Sequence, residues 1–164
     1  MPISSLPLDL YKWDDKSRDA LCVSIFEDER PLRGVAGLVD WRLCGRLSAL
    51  LQSRKATGAA GESMMLPASR RLPMNRIFWF GLGPSKGYSE ARMRHDLAWM
   101  GGVLAKAAVG ECAIQLPGRS IGLIGARRAI ELVLDEPSIR AMHLTIIDDT
   151  AGNKDIADVL RQAK

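Results

Sequence analysis

The sequence predicts a three-layer α/β domain whose sheet is mixed and mostly parallel. Three observations carry this. From residue 77 onward, strand-like and helix-like stretches alternate, and such alternation builds parallel strands with helices on the sheet faces. Ile77, Phe78, Trp79 and Phe80 form an unbroken apolar run, the pattern of a strand buried on both faces. The 164 residues, 47% hydrophobic and 26% charged, make up one ordinary globular domain. That length buries a core without help from a disulfide or a metal.

The elements follow in order. Residues 1–19 are polar, mixed in charge and punctuated by Pro2 and Pro7. They read as an N-terminal arm whose Leu6, Leu8, Leu10, Tyr11 and Trp13 pack against the body, and residues 20–164 read as the domain itself. Leu21 to Phe26, rich in β-branched and aromatic residues, is the first clear strand. Glu27 to Gly34 is a charged turn. Asp40 is placed to cap a helix in which Leu43, Leu47, Leu50 and Leu51 share one face. Residues 55–61 are a glycine-rich loop, Ser63 to Leu66 a short strand stopped by Pro67, and residues 69–75 a basic connection. After the strand at 77–80, a long helix from Ser89 to Val109 buries Met93, Leu97, Met100, Leu104 and Ala107. Gly101 and Gly102 interrupt it, which predicts close packing against a neighbour. Cys112 to Leu116 is a strand closed by Pro117. Residues 122–134 form a helix with Leu123, Ile130, Val133 and Leu134 inward. Met142 to Ile147 is a further strand, and Ile156, Val159, Leu160 and Ala163 define a terminal helix.

Composition narrows the function. No apolar run approaches the ~18 residues of a membrane span, so no membrane role is expected. The start lacks the basic and apolar parts of a secretory signal. Cys22, Cys44 and Cys112 are odd in number and unpaired in spacing, which fits reduced thiols in the cytoplasm and neither a disulfide framework nor a zinc site. Charge is uneven. Residues 1–29 carry seven acidic and three basic residues, whereas residues 30–76 carry nine basic and two acidic. Arginine supplies 16 of the 23 positive charges. Arg42, Arg46, Arg54, Arg70 and Arg71 are the candidate contacts for a protein partner or for nucleic acid.

Local chemistry is sparse. Gly81, Gly83, Ser85, Lys86 and Gly87 lie between a strand and a helix, where phosphate-binding loops are found. The dinucleotide and Walker patterns both fail, because Lys86 stands where a glycine belongs and precedes Gly87. The loop is kept as a candidate anion site. His95 and Asp96 are neighbours on a helix and do not face each other. Asp148 and Asp149 follow a strand, in turn-like company. No catalytic, metal or cofactor residue is assigned.

Two stretches resemble a known family. One is Gly34, Val35, Ala36 and Gly37 leading to Asp40, Trp41, Arg42 and the leucine-rich helix. The other is the strand 77–80 ending in Gly81, Leu82 and Gly83, and Glu62 fits the same pattern. Across roughly residues 20–147 the chain resembles the N-terminal domain of the leucyl (cytosol) aminopeptidase family. That resemblance implies a macro-domain-like fold and a domain that is not the catalytic one. In the family, two metal ions sit in a C-terminal domain with an Asn-Thr-Asp-Ala-Glu-Gly-Arg segment, which is absent here, so peptidase activity is not expected of these residues. The family role implied is assembly and access to the active site, with DNA binding in some bacterial members. The leading expectation is thus a non-catalytic protein-interaction, oligomerisation or regulatory domain, with Trp41 or Trp99 beside arginines at an interface. A nucleic-acid module and an ADP-ribose or nucleotide binder, the latter on the thin echo at Gly34 to Gly37, are the alternatives.

Overall fold

Two neighbouring strands at the middle of the sheet organise the molecule. The computed structural model describes residues 3–15 and 18–164. Met1 and Pro2 of the expected arm lie outside the described residues, as do Lys16 and Ser17. Strand β1 spans Ile3–Pro7 and β2 Arg18–Phe26; β3 is Ser63–Pro67 and β4 is Met74–Gly83; β5 is Glu111–Ile114 and β6 is His143–Asp148. The strand order is β1-β6-β5-β2-β4-β3. All neighbours run parallel except β3, which pairs antiparallel with β4 at the edge. The mixed, mostly parallel sheet is as the sequence predicts.

Successive residues on the central strands feed two cores, because strand side chains alternate between faces. Ala20, Cys22, Phe78, Phe80 and Ile114 pack into one apolar cluster. Leu21, Val23, Ile25, Ile77 and Trp79 pack into the other. The first cluster is closed by α4 (Glu90–Lys106), α5 (Ala126–Asp135), α6 (Pro137–Arg140) and α7 (Thr150–Gln162). The second is closed by α1 (Leu10–Asp14), α2 (Gly34–Arg42) and α3 (Arg46–Gln52). Along α4, Met93, Leu97, Met100 and Leu104 are fully buried, at the helical spacing read from the sequence. Ser89 caps that helix, accepting the Arg92 N–H at 3.3 Å.

Several elements differ from expectation. The stretch read as an arm contributes β1, which runs along β6, and α1, whose Trp13 is fully buried with its indole N–H donating to the Pro7 carbonyl at 2.7 Å. Tyr11, expected to pack inward, is 81% exposed. The leucine-rich stretch is two helices rather than one. Cys44 (φ 57°) and Gly45 (φ 83°) turn left-handed and break it. Asp40 still caps, across that break: its carboxylate accepts the Ser48 N–H at 3.0 Å and the Ser48 hydroxyl, in the first turn of α3. Leu123 is 43% exposed because α5 starts only at Ala126 and leaves it in the preceding loop.

The uneven charge is offset in part by ion pairs within the chain. Asp14 of the acidic start pairs with Arg42 at 2.9 Å and Asp19 with Arg76 at 2.5 Å. Toward the C-terminus, Asp135 pairs with Arg94 at 3.2 Å and Asp155 with Arg127 at 3.6 Å. Among the described residues, no helix is long and apolar enough to cross a membrane.

The two mid-helix glycines separate cleanly. A Cβ on Gly101 would lie 2.7 Å from the Ser138 Cβ and 3.0 Å from the Ile139 nitrogen, so α6 packs directly on it. A Cβ on Gly102 meets nothing. Gly101→Ala should therefore lower stability by about 1–3 kcal/mol through overpacking. Gly102→Ala should raise it by up to ~1 kcal/mol through helix propensity. Thermal unfolding of the two variants checks the opposite signs.

Candidate functional site

The carboxyl ends of the parallel strands, where α/β folds place their ligands, carry the loops after β2, β4, β5 and β6. Each loop holds polar groups, and most of those groups are engaged with one another. Gly81 and Gly83 of the candidate anion loop serve the chain itself. The backbone of Gly58 and Ala59 crosses so close that a Cβ on Gly81 would collide with it. Gly83 is left-handed (φ 77°) and its N–H donates to the Gly58 carbonyl at 2.8 Å. The crossing loop is tied down by Glu62. That carboxylate accepts the Gly58 N–H (2.9 Å), the Thr57 N–H (3.0 Å) and hydroxyl (2.9 Å), and the Trp79 indole N–H (2.8 Å). Burial pushes the Glu62 carboxyl up, but these donors outweigh it and the net displacement is downward.

Ser85 already holds an anion, and that anion is Asp28 from the loop after β2. The Ser85 N–H donates to Asp28 Oδ1 at 2.9 Å, and its hydroxyl donates to Oδ2. The Ser85 hydroxyl first, then its amide, keep the Asp28 carboxyl below its ordinary range. Lys86 and Gly87 are exposed beside it. At the start of α2, the Val35 N–H donates to the buried Gln115 side chain at 2.9 Å. Gln115 occupies the space where a Cβ on Gly34 would stand. The glycine echo at Gly34 to Gly37 thus meets a glutamine of the same chain.

The remaining singled-out residues resolve into structural parts. Asp148 is buried and receives both Nε and Nη2 of Arg119, at 2.8 and 2.9 Å, while Arg119 Nη1 donates to the Ile124 carbonyl at 3.0 Å. One guanidinium thereby clamps the loop after β5 to the end of β6. Asp149 caps α7, accepting the Gly152 N–H at 2.7 Å. His95 and His143 are exposed. Asp96 is buried and accepts the Tyr88 hydroxyl at 2.9 Å. Trp99 is partly buried, edge-on to Phe80 at 5.2 Å.

Sequence reasoning missed Glu29. It lies in the turn after β2, only 4% exposed, against a hollow of about 200 Å³ shared with Asp28, Arg30, Arg33, Ser85 and Ile121. Its Oε2 accepts the Phe26 N–H at 3.3 Å, and its Oε1 has no hydrogen-bond partner. Burial raises the carboxyl above its ordinary 4.5, against the Ser120 hydroxyl, the backbone N–H groups and the Arg33 charge that favour ionisation. Nothing in the charged run Glu27–Arg30 tells which acid turns inward.

The candidate arginines form a second region at the corner between α2 and α3. Trp41 is 73% exposed. Next to it, Arg42 donates to Asp14 at 2.9 Å and to the Arg71 carbonyl at 3.1 Å, and Arg71 reaches Cys44 Sγ at 3.2 Å. Arg46, Arg71, Cys44 and Ser69 line a hollow of about 270 Å³. The fold therefore brings Arg42, Arg46 and Arg71 together, with Arg70 adjoining on the same loop. Arg54 stands past the other end of α3.

This architecture defines a macrodomain-like α/β domain. A Trypanosoma brucei macrodomain superposes with a TM-score of 0.69 at 14% identity, covering 96% of this chain and 65% of that one. An Oceanobacillus iheyensis macrodomain solved with ADP superposes at 0.64 and 8% identity, covering 89% and 84%. A tomato leucine aminopeptidase variant superposes at 0.62 and 16% identity, covering 98% of this chain and 35% of that one. At such identities the likeness is one of fold.

Sequence takes the assignment further. Residues 22–135 match the N-terminal domain of the cytosol aminopeptidase family, and the chain belongs to that family. A probable cytosol aminopeptidase of Trichormus variabilis is 28% identical over 114 residues, 70% of this chain and 21% of that protein. One from Geobacter sulfurreducens is 34% identical over 91 residues, 56% and 18% respectively. The chain spans about a fifth of the length of these relatives.

Two outcomes follow from the strand-end loops. Arg119→Ala strands a buried carboxylate and should cost about 3–5 kcal/mol, measured by denaturant unfolding. Glu29 has a raised folded-state pKa, so the folded protein favours its neutral form. Its contribution is intact below about 4.5 and turns unfavourable as pH climbs through the folded value. Glu29→Gln, neutral throughout, should gain in melting temperature over the parent as pH rises from about 4 to 7.

Proposed function

We propose that this domain acts through protein contacts, as a non-catalytic docking or assembly domain, and that the corner between α2 and α3 is the contact surface. The observation that carries the reading is Trp41, 73% exposed on the last turn of α2, two residues before Leu43 of the arginine-lined hollow. Tryptophan and arginine are the residues that most often dominate interface energetics. Tyr11, also exposed, stands on α1, which the Asp14–Arg42 bridge ties to the same corner. The basic rim fits an acidic protein surface, either a partner or another copy. The cytoplasm is the proposed location, on the strength of the relatives' description as cytosol aminopeptidases.

Nucleic acid is the second reading. It is favoured by Arg46, Arg54 and Arg70, which have no ion pair among the described residues. Nucleotide binding has less support, since Asp28 and Gln115 already occupy the Ser85 and Val35 N–H groups that a diphosphate would use.

Light scattering after size-exclusion chromatography, together with a pull-down using purified protein, tests the leading reading. Self-association or a retained acidic partner is expected, and Trp41→Ala and Arg46→Glu should each weaken it at least tenfold with the fold intact by circular dichroism. A strict monomer that retains no partner overturns it. A gel shift at low salt that collapses steeply as salt is added would move the assignment to nucleic acid.

A further inference from the structure

The outer side of β3 is an open hydrogen-bonding edge. β3 ends the sheet beside β4, and no strand of the described residues pairs with its far side. The pairing with β4 fixes which groups point outward. The Gly81 N–H donates to the Glu62 carbonyl at 2.7 Å and the Ala68 N–H to the Asn75 carbonyl at 3.3 Å, just beyond either end of the strand. Bonded positions alternate along an antiparallel ladder, so Glu62, Met64, Leu66 and Ala68 turn their main chain toward β4. Ser63, Met65 and Pro67 turn theirs away. All three are exposed, and no loop backbone or side chain among the described residues bonds to their main chain.

Folded proteins ordinarily blunt such an edge with a charged side chain, a bulge or a covering segment. The strand Ser63–Pro67 carries no charge, and Met65 at its centre is 56% exposed. Pro67 is its one blunting residue. It removes a donor at the end of the strand and leaves the Ser63 and Met65 N–H groups unanswered.

A second copy of the same strand answers them. Set antiparallel across a two-fold axis at Met65, the two Met65 residues exchange both of their N–H to carbonyl bonds, and each Ser63 N–H meets the Pro67 carbonyl of the other copy. Every outward N–H is then used, and the bonds that Pro67 cannot donate are the only ones missing. Residues opposite one another in such a ladder share a face, so the two exposed methionines pack together. They lie on the side of the sheet that α4 covers: Met65 is opposite Phe78, and Phe80, opposite Ser63, carries Trp99 edge-on at 5.2 Å. Charge agrees with the antiparallel sense. Glu62 precedes the strand, and Arg70, exposed and without an ion pair among the described residues, follows it. The pairing brings the arginine of each copy to the glutamate end of the other.

We propose that β3 is a self-association edge: two copies of this chain pair β3 with β3 antiparallel and join their six-stranded sheets into one continuous sheet. A seam of five residues a side is small, which makes the dimer a weak, concentration-dependent one. It uses neither Trp41 nor Arg46, so it goes beyond the docking reading and stands or falls apart from it.

The test is sedimentation velocity of the full chain over a wide range of protein concentration, with hydrogen exchange read at single amides. A monomer–dimer equilibrium is expected, in which the Ser63 and Met65 amides exchange slowly at high concentration and fast at low, because nothing in the monomer bonds them. Met65→Lys places like charges at the two-fold and should weaken dimerisation at least tenfold, whereas Met65→Leu should keep it. Both substitutions fall at an exposed position, so the fold survives, as circular dichroism would show. Trp41→Ala should leave this dimer unchanged. A strict monomer at the highest concentration overturns the proposal, as does a dimer that Met65→Lys leaves intact or one in which the two amides exchange at the same rate throughout. A dimer lost in Trp41→Ala and kept in Met65→Lys overturns it too, and upholds the docking reading instead.

Discussion

The parallel pairing of β2 with β4 is the interaction on which the rest of the structure depends. From Leu21 opposite Ile77 to Phe26 opposite Gly83, every residue of this ladder but Ser24 is buried: Phe78 and Phe80 serve one apolar cluster, Ile77 and Trp79 the other. A sheet buried on both faces needs cover on both, and each crossover that returns a parallel strand supplies a helix for it. The pairing also sets the carboxyl ends of β2 and β4 side by side. That juxtaposition is why Asp28 meets Ser85, why the Glu27 N–H reaches the Gly83 carbonyl at 2.9 Å, and why a hollow lies between the two loops.

The same edge holds loops that bond to one another. Macrodomains of similar shape, one of them solved with ADP, share the architecture at 8–14% identity. Here the backbone donors at that edge are answered from within. Asp28 and Gln115 play the part of an anion or acceptor on Ser85 and Val35, and Glu62 gathers the donors of the 57–58 loop. Satisfying donors internally stabilises the loops and removes them from ligand binding in one stroke.

Charge follows a similar logic at larger scale. Part of the acidic start folds back onto the basic residues 30–76, through Asp14 with Arg42 and Asp19 with Arg76. Exposed pairs of this kind are worth little in stability. The corner between α2 and α3 keeps its positive character because Arg46 and Arg70 have no acid opposite them among the described residues, and Trp41 gives that charge an apolar neighbour.

Much of the fold was legible in the sequence because it is written in periodicity. The run at 77–80 and the spacing of Met93, Leu97, Met100 and Leu104 each specify a local environment without reference to anything distant. The family resemblance was legible for the same reason, through ordered local motifs. Less legible were Cys44 and Gly45, whose left-handed turn splits a continuous leucine pattern, and β1, whose five residues gain strand geometry only from β6. Least legible was the site. Glu27, Asp28 and Glu29 are three acids in a row, and sequence assigns them one character. Tertiary structure alone decided that Glu27 faces water, that Asp28 caps a neighbouring loop and that Glu29 turns inward with an oxygen unanswered, because burial and hydrogen-bond completion depend on which loops the sheet brings together.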